Sequence, residues 1–264
     1  MLVTFSQHIS FHNYLFKKIK INIMKKLLLV FFTCVNFQLM AQSWSTIKGD
    51  GNLKKESRPV ESFNEVSANG PLDVQISYGT SENLQVEADE NLLPYIETKV
   101  AGGQLTIRTK EHVNLKSHLR MVVYISMTEI KSLHESGSGN IKGSGAFRND
   151  GKTDIKVSGS GDIKLDFDSF DDLDLAVSGS GNINLKGKKA GDVNAAISGS
   201  GNIDCIDVPC DNAKAKISGS GNIKVNAQKS IDATISGSGN VSYKEDVSNI
   251  SSKISGSGKV KKIS

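Results

Sequence analysis

Asp192-Val193-Asn194-Ala195-Ala196-Ile197-Ser198-Gly199-Ser200-Gly201-Asn202-Ile203 is the stretch that decides the fold. Val193, Ala195 and Ile197 sit two residues apart, so they share one face of a strand. Ser198-Gly199-Ser200-Gly201 supplies a corner, and apolar alternation resumes at Ile203. The same four residues begin at Ser136, Ser158, Ser178, Ser198, Ser218, Ser236 and Ser255, at intervals of 22, 20, 20, 20, 18 and 19 residues. A short fixed core repeated with a period near 20 is the signature of a solenoid. A flexible Gly/Ser linker is excluded, because apolar residues flank every copy.

Each repeat supplies at least two short strands whose apolar positions face a common interior. Identical units stack in register more readily than they fold as hairpins, and parallel stacking at about 4.8 Å per coil satisfies each backbone group above and below. Glycine accepts the corner's positive φ and leaves room for the next coil. The expected fold is therefore all-β, a right-handed parallel β-helix or β-solenoid of about 20 residues per repeat, with repeats from about 130 to 260. The residue after each motif is Asn140, Asp162, Asn182, Asn202, Asn222, Asn240 and Lys259. Asn140, Asn182, Asn202, Asn222 and Asn240 are expected to form an amide ladder, interrupted by Asp162 and Lys259. Lys259 lies in the last copy, where a charge discourages edge pairing.

Upstream of the repeats, Leu72, Val74 and Ile76, then Leu84 and Val86, then Leu105 and Ile107 alternate with polar residues. Val122-Val123-Tyr124-Ile125 is a continuous buried run, and Gly70-Pro71, Tyr78-Gly79 and Gly102-Gly103 punctuate the strands. Residues 42–57 are polar and lack period, and read as a flexible segment. Residues 1–41 read as a secretory signal with its true start at Met24. Lys25-Lys26 precede the apolar run Leu27–Phe32, and Ala41-Gln42 forms the junction. The apolar run is shorter than the roughly 20 residues a membrane span needs. An uncleaved anchor, or a lipoprotein using Cys34, is the alternative. The domain proper is 58–264.

The whole chain carries 32 Lys and Arg against 28 Asp and Glu. Residues 1–41 hold five of the basic residues and no acidic one, so 27 remain against 28. The basicity belongs to the leader, and no nucleic-acid footprint remains. Cys205 and Cys210 could close a small disulfide loop in an oxidising compartment, or remain two free thiols. Without a histidine beside them they are a weak metal signal. No cofactor is implied, and no marker of oligomeric state is present.

The N-terminal pattern and the repeats together resemble a family of auto-transporter adhesins with a head GIN domain, a domain of unknown function common in Bacteroidetes-type bacteria. The carrying residues are Arg58-Pro59-Val60, Phe63-Asn64-Glu65-Val66, Gly70-Pro71-Leu72-Asp73-Val74, Leu84-Gln85-Val86-Glu87, Gly103-Gln104-Leu105-Thr106-Ile107 and the Ser-Gly-Ser-Gly-Asn-Ile copies. The resemblance spans about 58–260. It implies one β-helical domain and no catalytic residues. The chain runs six residues past its last motif, with no translocator domain there, so periplasmic residence or attachment through a partner is expected.

The leading expectation is an exported, non-enzymatic envelope protein of the periplasm or the outer-membrane surface, binding a glycan or protein ligand. It would have no nucleic-acid partner and no membrane-spanning segment after the leader. Its variable segments, Asp166–Asp172 and Lys186–Lys189, would lie on one side of the solenoid. A serine hydrolase would need a placed histidine, and only His112, His118 and His134 follow the leader, all before the first motif. The alternative is a polysaccharide-acting β-helix enzyme using an acidic loop at 162–172, with Asp162, Asp166, Asp168, Asp171 and Asp172 as its carboxylates. A calcium roll is disfavoured, because the period is wrong and the expected aspartates are mostly asparagines.

Overall fold

The computed structural model describes residues 44–80, 83–244 and 246–263. The leader at 1–41 and Cys34 lie outside the described residues. Two ladders of parallel strands meet at the Ser-Gly-Ser-Gly corners. One ladder runs before the corner, in the order Gln104–Thr109, Glu65–Gly70, Ser132–Gly137 and Arg148–Gly159. It continues through the second half of Asp162–Gly179, Asp192–Gly199 and the later repeats to Asn249–Gly256. The other runs after the corner, in the order Val122–Met127, Asp73–Tyr78, Asn140–Ser144 and the first half of Asp162–Gly179. It ends with Asn240–Tyr243 and Lys259–Lys262. The chain is a β-solenoid.

Register follows the motif. Ser158 pairs with Ser178, Ser178 with Ser198 and Ser198 with Ser218, and the glycines after them pair likewise. Period-2 alternation then sends Val157, Val177, Ile197, Ile217 and Ile235 into one buried column. After the corner, Ile141, Ile163, Ile183, Ile203, Ile223 and Val241 form a second. Ile217 is 1 % exposed. Ile217→Asp should cost about 4 kcal/mol or more, because its carboxylate would meet isoleucines above and below. Urea unfolding checks this, and an unchanged midpoint would contradict the inward assignment.

The asparagine column lies at the start of the post-corner strands. Asn202 donates to Asn182 Oδ1 at 2.8 Å, Asn222 to Asn202 at 3.0 Å and Asn240 to Asn222 at 3.0 Å. Asn182 donates its side chain and its backbone N–H to Asp162 Oδ1, at 2.7 and 2.9 Å. Every amide thus points back one coil, and the chain ends on an acceptor-only carboxylate. Asn140 belongs to a separate pair, donating to Asp73 Oδ1 at 2.8 Å.

The N-terminal coils depart from sequence order. Gln104–Met127 lies outside Glu65–Tyr78, so the chain builds its second coil before its first. Antiparallel strands then cover that end. Ile96–Ala101 pairs with Gln104–Thr109, and Asn83–Asp89 pairs with both Val122–Met127 and Leu53–Pro59. Covering an edge this way removes a template for further pairing.

The expectation of a flexible 42–57 is corrected here. Ser45–Lys48 is a strand paired with Val113–Lys116, and Leu53–Pro59 is a cap strand. Their side chains are largely exposed, so no apolar alternation marks them. Backbone pairing and polar anchors hold them instead. Arg58 donates to the Ile96 and Leu93 carbonyls at 2.7 and 3.0 Å, and the Gly51 N–H donates to Asp89 Oδ1 at 2.7 Å.

At the opposite end, Asn249–Gly256 is exposed along its length, with Ile250 and Ile254 among its side chains. Lys253, Lys259, Lys261 and Lys262 stand on this last coil. Charged edge residues of this kind disfavour strand addition.

Candidate functional site

The interval from Ser136 to Ser158 is 22 residues, the longest of the series, and it carries a second Gly-Ser-Gly at Gly143-Ser144-Gly145. On the post-corner ladder, Gly143 stands in register between Ile76 and Leu165. A glycine therefore occupies a position where both neighbours are large aliphatics. Leu165 and Tyr78 lean into the vacated space. A Cβ on Gly143 would lie 2.9 Å from Leu165 Cδ1, and one on Gly145 would lie 2.3 Å from Tyr78 Cβ.

Beside these glycines the surface forms an open notch of about 600 Å³, walled by Gln75, Ser77, Tyr78, Lys142, Ser144, Lys164 and Asp166. Tyr78 is 50 % exposed, an unusual state for a large ring in this fold. Its inner edge packs on buried Phe147, with centroids 5.6 Å apart and planes at 74°. That edge-to-face contact fixes the ring while leaving part of it to solvent.

Lys142 and Lys164 are exposed register neighbours, and among the described residues neither has an ion-pair partner. Like charges placed side by side across strands repel. Beside them Asp166 holds one carboxylate oxygen, Oδ1, that is buried without a hydrogen-bond partner. The notch therefore offers two cations, a carboxylate side chain, several hydroxyl and amide groups and a fixed aromatic surface.

The acidic segment does not converge. Asp162 terminates the amide chain, and Asp166 lines the notch. Asp168 bridges coils, with Lys188 at 2.6 Å and Arg148 at 2.8 Å, and those two cations hold its carboxyl below the usual range. Asp171 and Asp172 are exposed on the outside. Between them Phe167 and Phe170 turn inward and stack at 4.2 Å. Among the described residues no group of three His, Cys, Asp or Glu side chains could hold a metal ion.

The sequence leaves Cys205 and Cys210 open between a disulfide loop and two free thiols. Both are free and buried. Their thiols point at the next coil, Cys205 Sγ lying 3.1 Å from the Lys224 carbonyl oxygen and Cys210 Sγ 3.7 Å from that of Asn226. Burial pushes both thiols up, which makes them poor nucleophiles. His134 sits apart on the pre-corner ladder, in register with Lys156. Burial, and the charge of Lys156, lower its pKa.

Sequence reasoning passed over Gly143, Tyr78, Lys142 and Lys164. The signal was the lengthened interval and the extra Gly-Ser-Gly, both visible without coordinates.

Several solved structures share the fold. A "putative adhesin" from Bacteroides fragilis superposes with a TM-score of 0.73 at 22% identity, covering 82% of this chain and 100% of its own. A second "putative adhesin", from Parabacteroides merdae, gives 0.62 at 23%, covering 83% and 100%. A "putative lipid binding protein" from Parabacteroides distasonis gives 0.67 at 26%, again covering 83% and 100%. No curated protein matches the chain. Residues 62–247 match the family described as "putative auto-transporter adhesin, head GIN domain", and the chain belongs to that family.

Proposed function

We propose that this protein is an exported, non-enzymatic binding protein of the cell envelope, adhesin-like in action, and that it engages its ligand at the notch beside Gly143. The observation that carries the reading is a half-exposed tyrosine held beside two unpaired lysines, where the repeat departs from its own pattern. Elsewhere the inward columns and the corners are filled by aliphatic and small side chains that serve stacking. Family membership and the adhesin names of the fold relatives point the same way. Fold alone does not establish function, so the argument rests on the site.

The Met24–Ala41 leader supports export, to the periplasm or the outer-membrane surface. Among the described residues no helix is long and apolar enough to cross a membrane. The dispersal of the acidic segment favours binding over hydrolysis, since glycoside cleavage needs two carboxyls facing one bond. The ligand is a glycan or a protein met outside the cytoplasm.

The test is an array of glycans and extracellular-matrix proteins, probed with the purified protein and with Tyr78→Ala. Reproducible binding that falls about tenfold in the variant is the expected result, since an aromatic platform contributes on the order of 1–2 kcal/mol. Binding that survives Tyr78→Ala intact would move the site elsewhere on the solenoid.

A further inference from the structure

The geometry points to a uronic-acid saccharide as the ligand of the notch. This rests on the binding reading above and names the chemistry that reading leaves open. Lys142 and Lys164 stand on adjacent coils, about 4.8 Å apart along the stack. Two unpaired ammonium groups so placed repel until an anion comes between them, and a single carboxylate has an oxygen for each. Among the described residues, Asp166, the acid of the notch wall, forms no ion pair with either, and Asp162, two residues before Lys164, accepts instead from Asn182.

The rest of the wall narrows the class further. Asp166 lines the notch beside the lysines, and Ser77, Ser144 and Gln75 stand around its rim. A dense array of phosphates would set like charge against Asp166, whereas a hexuronate unit carries one carboxylate for the lysines and a set of ring hydroxyls for the polar rim.

Tyr78 supplies the third element. A pyranose ring has an apolar C–H face that packs on an aromatic surface, while its hydroxyls bond at the edges. The ring of Tyr78 is already fixed by Phe147, so little conformational entropy is lost on binding. The coil spacing is comparable to the length of one pyranose unit. A chain lying along the solenoid axis would thus bring one sugar over the tyrosine and its carboxylate between the two lysines.

The experiment is titration calorimetry of the purified protein with oligo-galacturonate and oligo-mannuronate, each compared with its carboxyl-reduced neutral counterpart. At least one acidic oligomer should bind about tenfold or more tightly than its neutral partner, and added salt should weaken it. Lys142→Glu/Lys164→Glu should remove that preference. Lys216→Glu, an exposed lysine on the pre-corner ladder, should leave it intact. Thermal melts of each variant separate lost binding from lost folding. Equal affinity for acidic and neutral oligomers, with both lost in Tyr78→Ala, would overturn the acidic class and keep the binding notch. Binding unaffected by either Tyr78→Ala or the lysine pair would overturn both readings. Absence of any uronate binding, or lysine-dependent capture of phosphatidylglycerol vesicles instead, would overturn the inference.

Discussion

Gly201→Ala is expected to abolish the native fold or to cost about 4 kcal/mol or more. A Cβ at Gly201 would sit 2.0 Å from the carbonyl oxygen of Gly181 and 2.6 Å from Val177 Cγ1. The obstacle is backbone, so no side chain can rotate away. The carbonyl cannot retreat, because the corner is part of a register that repeats in every coil. Gly199, two residues earlier, adds a different constraint. Its φ is +129, where residues with a Cβ are strained, and its own Cβ would meet the Gly179 oxygen at 2.4 Å. The two glycines of each motif are thus required for separate reasons, one for close approach alone and one for approach and backbone angle. Gly102→Asn is the control. Its φ is +59, a value asparagine tolerates, and nothing lies within 4 Å of a Cβ there. Chemical denaturation of the three proteins should give a collapsed or strongly shifted transition for Gly201→Ala and a near-native one for Gly102→Asn. A Gly201→Ala protein with a native midpoint would show that adjacent coils can separate locally at the corner.

Replacing Glu135 should stabilise the protein above neutral pH. Glu135 stands in the inward column in register with Ala68 and Val157, and is 0 % exposed. Among the described residues neither carboxylate oxygen has a hydrogen-bond partner. Space for it comes from Gly161, whose Cβ would lie 2.8 Å from the carboxyl carbon. Burial raises its pKa to about 7. The Gly139 N–H, which itself donates to the Gly70 carbonyl, opposes the shift only in part, and the charges of Asp162 and Asp73 reinforce it. In the unfolded chain the carboxyl titrates near 4.5. Between these values the folded protein retains a proton that the unfolded chain has released. Stability contributed by this group is therefore complete below the lower pKa and is lost as pH rises toward the upper one. The loss amounts to about 3 kcal/mol. Glu135→Gln should flatten this dependence, and Glu135→Val, which continues the aliphatic column, should raise the melting temperature most at about pH 8. Parallel stability–pH curves for the native protein and Glu135→Gln would refute the assignment.

Glu135 also marks a limit of pattern reading. The residue directly before each motif is Glu135, Val157, Val177, Ile197, Ile217, Ile235 and Ile254. The exception is plain in the alignment of the repeats, but its burial is a property of register. A glutamate at the first repeat could equally have belonged to an exposed boundary coil. Only pairing with Glu65–Gly70 on one side and Arg148–Gly159 on the other encloses it.

The sequence by itself determined the solenoid, its period, its corners and its inward columns. These are local and repeated, so each copy states the same constraint and the copies reinforce one another. Ile197 and Ile217 face inward for the reason any alternating strand does. The tertiary structure alone decided which coil lies outermost at the N-terminal end, because Glu65–Tyr78 and Gln104–Met127 carry similar alternation and nothing local orders them. It also decided that Ser45–Lys48 and Leu53–Pro59 pair as strands, since edge strands held by backbone bonds and by Arg58 need no apolar pattern. The carbonyls that Cys205 and Cys210 meet, those of Lys224 and Asn226, follow from which strand the next coil presents. The notch follows from three segments far apart in sequence, 75–78, 142–145 and 164–166, that meet only because parallel stacking places successive coils one strand spacing apart.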